Sequence, residues 1–140
     1  GPYTVLDDCY NASPAAVRAA LDTLGELAGS EPRAAILGAM LELGDGEQAY
    51  HRELGAHAAA AGLDLLVTVG PLGAEIARGA ADAGLPEQRC LEVSTPEEAA
   101  LALTGNLDAG WVLIKASRGA RLDRALSALT EQHQDTEAHS

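Results

Sequence analysis

A chain of 140 residues with 47% hydrophobic content is long enough for one domain with a sizeable core and too short for two typical ones. Its formal net charge of −12 opposes binding to nucleic acid or to an anionic membrane, both of which need a basic surface. The apolar runs are short and interrupted, well below the roughly 20 residues that span a bilayer, and residues 1–20 show no basic start followed by an apolar stretch, so a cytoplasmic protein without membrane insertion is expected.

In chain order, Tyr3-Thr4-Val5-Leu6 has the β-branched, aromatic and aliphatic character of a central strand. A polar loop with two carboxylates follows, Asp7-Asp8-Cys9-Tyr10-Asn11-Ala12. Ser13 is placed to accept hydrogen bonds from the first free N–H groups of a helix, and Pro14 sits where a missing N–H costs nothing. From there Val17, Ala20, Leu21, Leu24 and Leu27 recur at helical spacing.

The same unit repeats. Residues 33–37 form a second strand, with a loop containing Glu42 before a helix over residues 47–61. Residues 64–69 form the third strand, followed by the turn Gly70-Pro71 and a helix over residues 72–83. The short fourth strand, residues 89–93, leads to the helix-start signal Ser94-Thr95-Pro96-Glu97-Glu98 and a helix reaching Leu103. Residues 111–115 form the fifth strand and residues 122–132 a closing helix, with Leu122, Ala125, Leu126 and Leu129 on its apolar face. Residues 133–140 read as a polar tail. Strands alternating with helices predict an α/β, three-layer domain: a mainly parallel five-stranded sheet with helices on both faces.

Open parallel sheets bind ligands beyond the carboxyl ends of their strands. Polar residues gather there: Asp7, Asp8, Tyr10 and Asn11 after strand one, Glu42 after strand two, Ser94 and Thr95 after strand four, and Lys115, Ser117 and Arg118 after strand five. Lys115 is the only lysine in the chain. Cys9 and Cys90 lack the close pairing of zinc or redox motifs and read as free thiols in a reducing compartment. No metal ligand set and no catalytic residue is assigned.

One interpretation of this pattern is a receiver-like or non-catalytic nucleotide-binding module, with paired carboxylates after strand one, a hydroxyl after strand four and a lysine after strand five. Such a receiver also needs a phosphoaccepting aspartate at the end of strand three, where this chain has Val69-Gly70. Its lysine is followed by Ala116 rather than proline.

A second resemblance accounts for more residues. Asp7-Asp8-Cys9-Tyr10-Asn11-Ala12-Ser13-Pro14 is similar to the DDxYNANP sequence that begins the C-terminal domain of Mur peptide ligases of the D-alanyl-D-alanine-adding type. Residues 17–24 resemble that family's first helix. Residues 36–44 with His51-Arg52-Glu53-Leu54-Gly55 resemble its LGxMxELG and HxxxG signature, and residues 113–119 its LVKGSRG segment. Ser13 replaces the family's second Asn, Ala39 stands where an acidic residue is common, and Ala116 replaces the first Gly of KGSRG.

The resemblance implies a Rossmann-like amino-acid-binding domain over residues 1–132. It implies an ATP-dependent ligase that joins D-alanyl-D-alanine to a UDP-N-acetylmuramoyl tripeptide through an acyl-phosphate, in peptidoglycan precursor synthesis. No GxxxxGK followed by Ser or Thr occurs here, so ATP with Mg2+ is expected to be held mainly by a central ATPase domain, itself preceded by a UDP-binding domain. By the same resemblance, Asp8 would hold the ATP ribose, with Tyr10, Asn11 and Asp7 nearby. Ser117, Arg118 and Lys115 would recognise the dipeptide carboxylate, and Glu42 and His51 would face substrate or the domain cleft. Alternatives stay open: Asp7 and Asp8 as a solvated loop, Lys115 bonded to loop carbonyls, His51 as a local structural group, and a folate- or cyanophycin-type ligase domain of the same superfamily in place of the D-alanyl-D-alanine-adding one.

Overall fold

The computed structural model describes residues 3–7, 13–38 and 46–115. Its elements are β1 (Tyr3–Asp7), α1 (Pro14–Ala28), β2 (Arg33–Leu37), α2 (Glu47–Ala60), β3 (Leu65–Val69), α3 (Gly70–Asp82), β4 (Cys90–Val93), α4 (Pro96–Asn106) and β5 (Gly110–Lys115). A 3-10 turn at Glu87–Arg89, not expected from the sequence, precedes β4.

Local chemistry sets the helix ends. Ser13 Oγ accepts from the Ala16 N–H at 3.1 Å, capping α1 as expected. At the other end of α1 the guanidinium of Arg33 donates to the carbonyls of Gly25 and Gly29, satisfying acceptors that the helix leaves open. Thr95 caps α4 by accepting from the Glu98 N–H at 3.1 Å, while the Glu98 carboxylate accepts from Ser94 N–H. That closed cap carries α4 to Asn106, three residues past the expected end.

All strand pairs are parallel, in the order β1-β5-β2-β3-β4. From β2 to β4 the chain steps outward in one direction, and from β4 to β5 it steps back. With right-handed crossovers this reversal puts α1, α2 and α3 on one face and α4 on the other. The core divides accordingly. Val17, Leu21 and Leu24 of α1, Leu54 and Ala58 of α2, and Ile76 and Ala80 of α3 pack on Ala35, Leu37, Leu66 and Leu113. On the opposite face Ala99, Ala100 and Leu103 of α4 share a cluster with Ala34, Ile36, Val67, Val112 and Ile114.

Burial on both faces explains why β2, β3 and β5 read as continuous apolar runs rather than alternating ones. The β1 edge is pinned by the Tyr3 hydroxyl, which donates to the Leu107 carbonyl at 2.5 Å. Burial, with Asp108 nearby, raises the pKa of that phenol. The closing helix expected over residues 122–132 and the tail lie outside the described residues.

Candidate functional site

The sheet order brings together three strand ends that are far apart in sequence. β5 lies between β1 and β2, with Asp7 beside Ile114 and Leu37 beside Lys115. The Gly38 N–H donates to the Lys115 carbonyl at 3.1 Å, so the first residue after β2 is tied to the last of β5. The segments after β1, β2 and β5, which carry most of the candidate residues, therefore start side by side. The end of β4 stands at the far edge of the sheet. Thr95 there is used as a helix cap, a structural role rather than a ligand contact.

Among the described residues, the buried polar or charged side chains are His51, Thr68 and Lys115. Thr68 and Lys115 lie toward the carboxyl ends of their strands, and His51 lies on α2. Lys115 ends β5 and is 1% exposed. Thr68 sits next to last on β3, paired with Leu37 of β2, with its Cβ against the start of α3 at Gly73. Its Oγ1 has no hydrogen-bond partner among the described residues. The sequence offered one signal for Thr68: it is the lone polar residue in the run Leu65–Val69.

His51 lies in the second turn of α2 and is fully buried. Its Nδ1 is 2.7 Å from the Glu47 carbonyl oxygen; a carbonyl only accepts, so Nδ1 carries the proton in that contact. His51 and Lys115 both have further interaction partners. Asp7 is placed by its backbone at the end of β1. Asp8, Tyr10, Asn11, Glu42, Ser117 and Arg118 lie outside the described residues.

Two features were not anticipated from sequence. Across the seam between α2 and α3, Arg52 Nε donates to Glu75 Oε2 at 2.7 Å, and within α3 Arg78 donates to Glu75 Oε1 at 3.3 Å. The hydrogen bond from Arg52 leads in holding the Glu75 carboxyl below its usual range, with Arg52, Arg78 and His51 also favouring the anion. The second is a crevice of about 490 Å³ lined by Gly70, Pro71, Glu92, Val93 and Ser94, where α3 and α4 leave adjacent strands toward opposite faces.

An all-parallel open sheet with its acidic exit loop and its one lysine at adjacent carboxyl ends defines a Rossmann-like ligand-binding domain. Residues 1–118 match the family model described as Mur ligase, glutamate ligase domain, and the chain belongs to the Mur ligase family. A UDP-N-acetylmuramoyl-tripeptide--D-alanyl-D-alanine ligase from Bacillus subtilis (strain 168) is 36% identical over 129 residues, covering 91% of this chain and 28% of that protein. Its namesake from Escherichia coli (strain K12) is 32% identical over 127 residues, covering 91% and 27%. The crystal structure of MurF ligase from Thermotoga maritima in complex with ADP superposes with a TM-score of 0.77 at 28% identity, covering 96% of this chain and 30% of that one. The chain thus spans a little over a quarter of the length of the curated relatives it matches.

Proposed function

We propose that this chain acts as the C-terminal domain, residues 1–132 with a polar tail at 133–140, of a cytoplasmic ATP-dependent ligase. That ligase adds D-alanyl-D-alanine to a UDP-N-acetylmuramoyl tripeptide during peptidoglycan precursor synthesis. Its partners are a UDP-binding domain and a central ATPase domain that holds ATP with Mg2+. The observation that carries this reading is the meeting of the β1, β5 and β2 exits at one edge. The three family motifs each begin at one of these neighbouring strand ends.

The chemistry of that edge suits the ribose and acceptor ends of the reaction better than the phosphates. Carboxylates such as Asp8 accept hydrogen bonds and fit hydroxyl groups, whereas a triphosphate needs cations, and the cation described at this edge, Lys115, is buried. In this reading Asp8 holds the ribose, with Asp7, Tyr10 and Asn11 completing the nucleotide side. Ser117, Arg118 and Glu42 line the acceptor side. Arg118 fixes the dipeptide carboxylate so that its amine meets the acyl-phosphate in line, and closure of the domain excludes water from that intermediate. Lys115 and His51 stand behind this surface, since neither presents exposed area.

The test is Asp8→Ala in the complete ligase. Losing a charged hydrogen-bond partner costs about 1.5–3 kcal/mol, so kcat/KM for ATP should fall by about one to two decades with the melting temperature retained. Unchanged ATP kinetics in a folded variant would remove Asp8 from the nucleotide site. Incubation of the same protein with acetyl phosphate and magnesium tests the receiver-like alternative, and no phosphorylation of Asp7 or Asp8 is expected.

A further inference from the structure

Helix α3 turns a stripe of short side chains toward the edge strand β4: Ala74, Ala77, Arg78 and Ala81 recur on it at helical spacing. Facing them are Cys90 and Glu92, alternate residues of β4 and so on one face of that strand, with Leu85 and Glu87 contributed by the connection from α3. Three alanines are too short to fill the space between helix and strand. They leave a groove of about 440 Å³, inside the roughly 300–1,000 Å³ that small-ligand sites occupy. Its floor is apolar, since Ala77 and Leu85 are buried and Cys90 is half-buried. The charges around it do not balance. Arg78 is engaged by Glu75 at 3.3 Å, whereas the Glu87 and Glu92 side chains form no ion pair or hydrogen bond among the described residues. The field of Glu92 reaches the floor: after burial, it is the second cause that raises the Cys90 pKa.

We propose that the groove between α3 and β4 binds a small organic cation, with a primary ammonium set against Glu87 and Glu92 and a short apolar chain along Ala74, Ala77 and Ala81. The lining itself selects this class. It holds two carboxylates and one arginine already shared with Glu75, so an anion would meet net negative charge. A bare inorganic cation would leave the apolar wall in contact with water, and an uncharged apolar molecule would leave both carboxylates without a partner. An ammonium on a short alkyl chain satisfies wall and rim together.

In the complete protein, Cys90 reports whether the groove is occupied. Its thiolate attacks uncharged methyl methanethiosulfonate, forming a methyl disulfide and releasing methanesulfinate, and the reaction is followed by the mass of the peptide that carries Cys90. Butylammonium is the probe, with ammonium and butyrate as controls at the same concentration and constant ionic strength. An affinity of about 5 mM would slow the modification about threefold at about 10 mM butylammonium. Ammonium and butyrate should leave the rate unchanged. Glu87→Gln combined with Glu92→Gln, both exposed positions, should abolish the protection with the melting temperature retained. No protection by butylammonium, equal protection by butyrate, or protection that survives the double substitution overturns the proposal. A Cys90 that stays unmodified in the folded protein overturns it as well, because the groove would then be closed in the complete protein.

Discussion

Gly55 on α2 and Gly79 on α3 let two helix backbones meet with no side chain between them. A Cβ on Gly55 would stand 1.9 Å from the carbonyl oxygen of Ile76, and one on Gly79 would stand 2.0 Å from that of Arg52. Both obstacles are backbone atoms, which cannot swing aside. The glycine of the HxxxG segment is therefore a packing residue, one turn after the buried His51 on the same helix.

Gly55→Ala and Gly79→Ala should each destabilise the domain. Overpacking costs about 1–3 kcal/mol even where side chains can adjust, and these contacts fall at or above the upper end because whole helices must separate. Gly105 on α4, with open space around its Cα, provides the control. Gly105→Ala should be neutral or stabilising, since alanine favours a helix interior over glycine by roughly 1 kcal/mol. Urea midpoints of the three variants check the ranking.

The Arg52–Glu75–Arg78 cluster gives the fold an acid-sensitive seam. Glu75 titrates below its ordinary value of 4.5 in the folded state, first because Arg52 donates a hydrogen bond to it. A depressed carboxylate pKa stabilises above the unfolded value, and that contribution disappears as pH falls through the folded one. Glu75→Gln should thus lower the melting temperature at pH 7, and the gap from the parent should close as pH drops below about 4.5. A gap that stays constant from pH 7 to pH 3 would show that the carboxylate charge contributes nothing.

Burial, reinforced by Glu92, pushes the Cys90 thiol up to about 11. Relative to a free cysteine, the thiolate fraction near pH 8 falls by on the order of 100-fold, while the higher basicity recovers roughly tenfold in nucleophilicity. In a Cys9→Ser background, iodoacetamide should therefore modify Cys90 at least about tenfold more slowly than glutathione. Modification at the rate of glutathione would contradict the burial of this thiol in solution.

Much of this architecture is legible in the residues themselves. Val17, Leu21 and Leu24 announce the buried stripe of α1, and Ser13 and Thr95 mark helix starts that the structure confirms by cap hydrogen bonds. Arg33–Leu37 is a strand with the expected limits because charge and turn residues bracket an unbroken apolar run. Strand order is different. Nothing local to Trp111 or Ile114 specifies that β5 inserts between β1 and β2, since that choice comes from which helix faces need covering. The depth of His51 and Lys115 was hidden for the same reason: both had a structural as well as a ligand-binding reading, and how far each is covered depends on neighbours distant in sequence. The Gly55–Gly79 contact joins α2 to α3 in three dimensions and has no one-dimensional signature beyond the glycines.

Arg118 and the acceptor bear most directly on the ligase account. The complete enzyme, supplied with ATP, Mg2+ and UDP-N-acetylmuramoyl tripeptide, is offered D-alanyl-D-alanine, glutamate and a diamino acid in competition, and the products are identified by mass. The account predicts that the dipeptide product dominates, and that Arg118→Ala loses dipeptide use far more than ATP or UDP-substrate use, since the carboxylate anchor supplies both binding and orientation. Preferential incorporation of glutamate or of the diamino acid would contradict it.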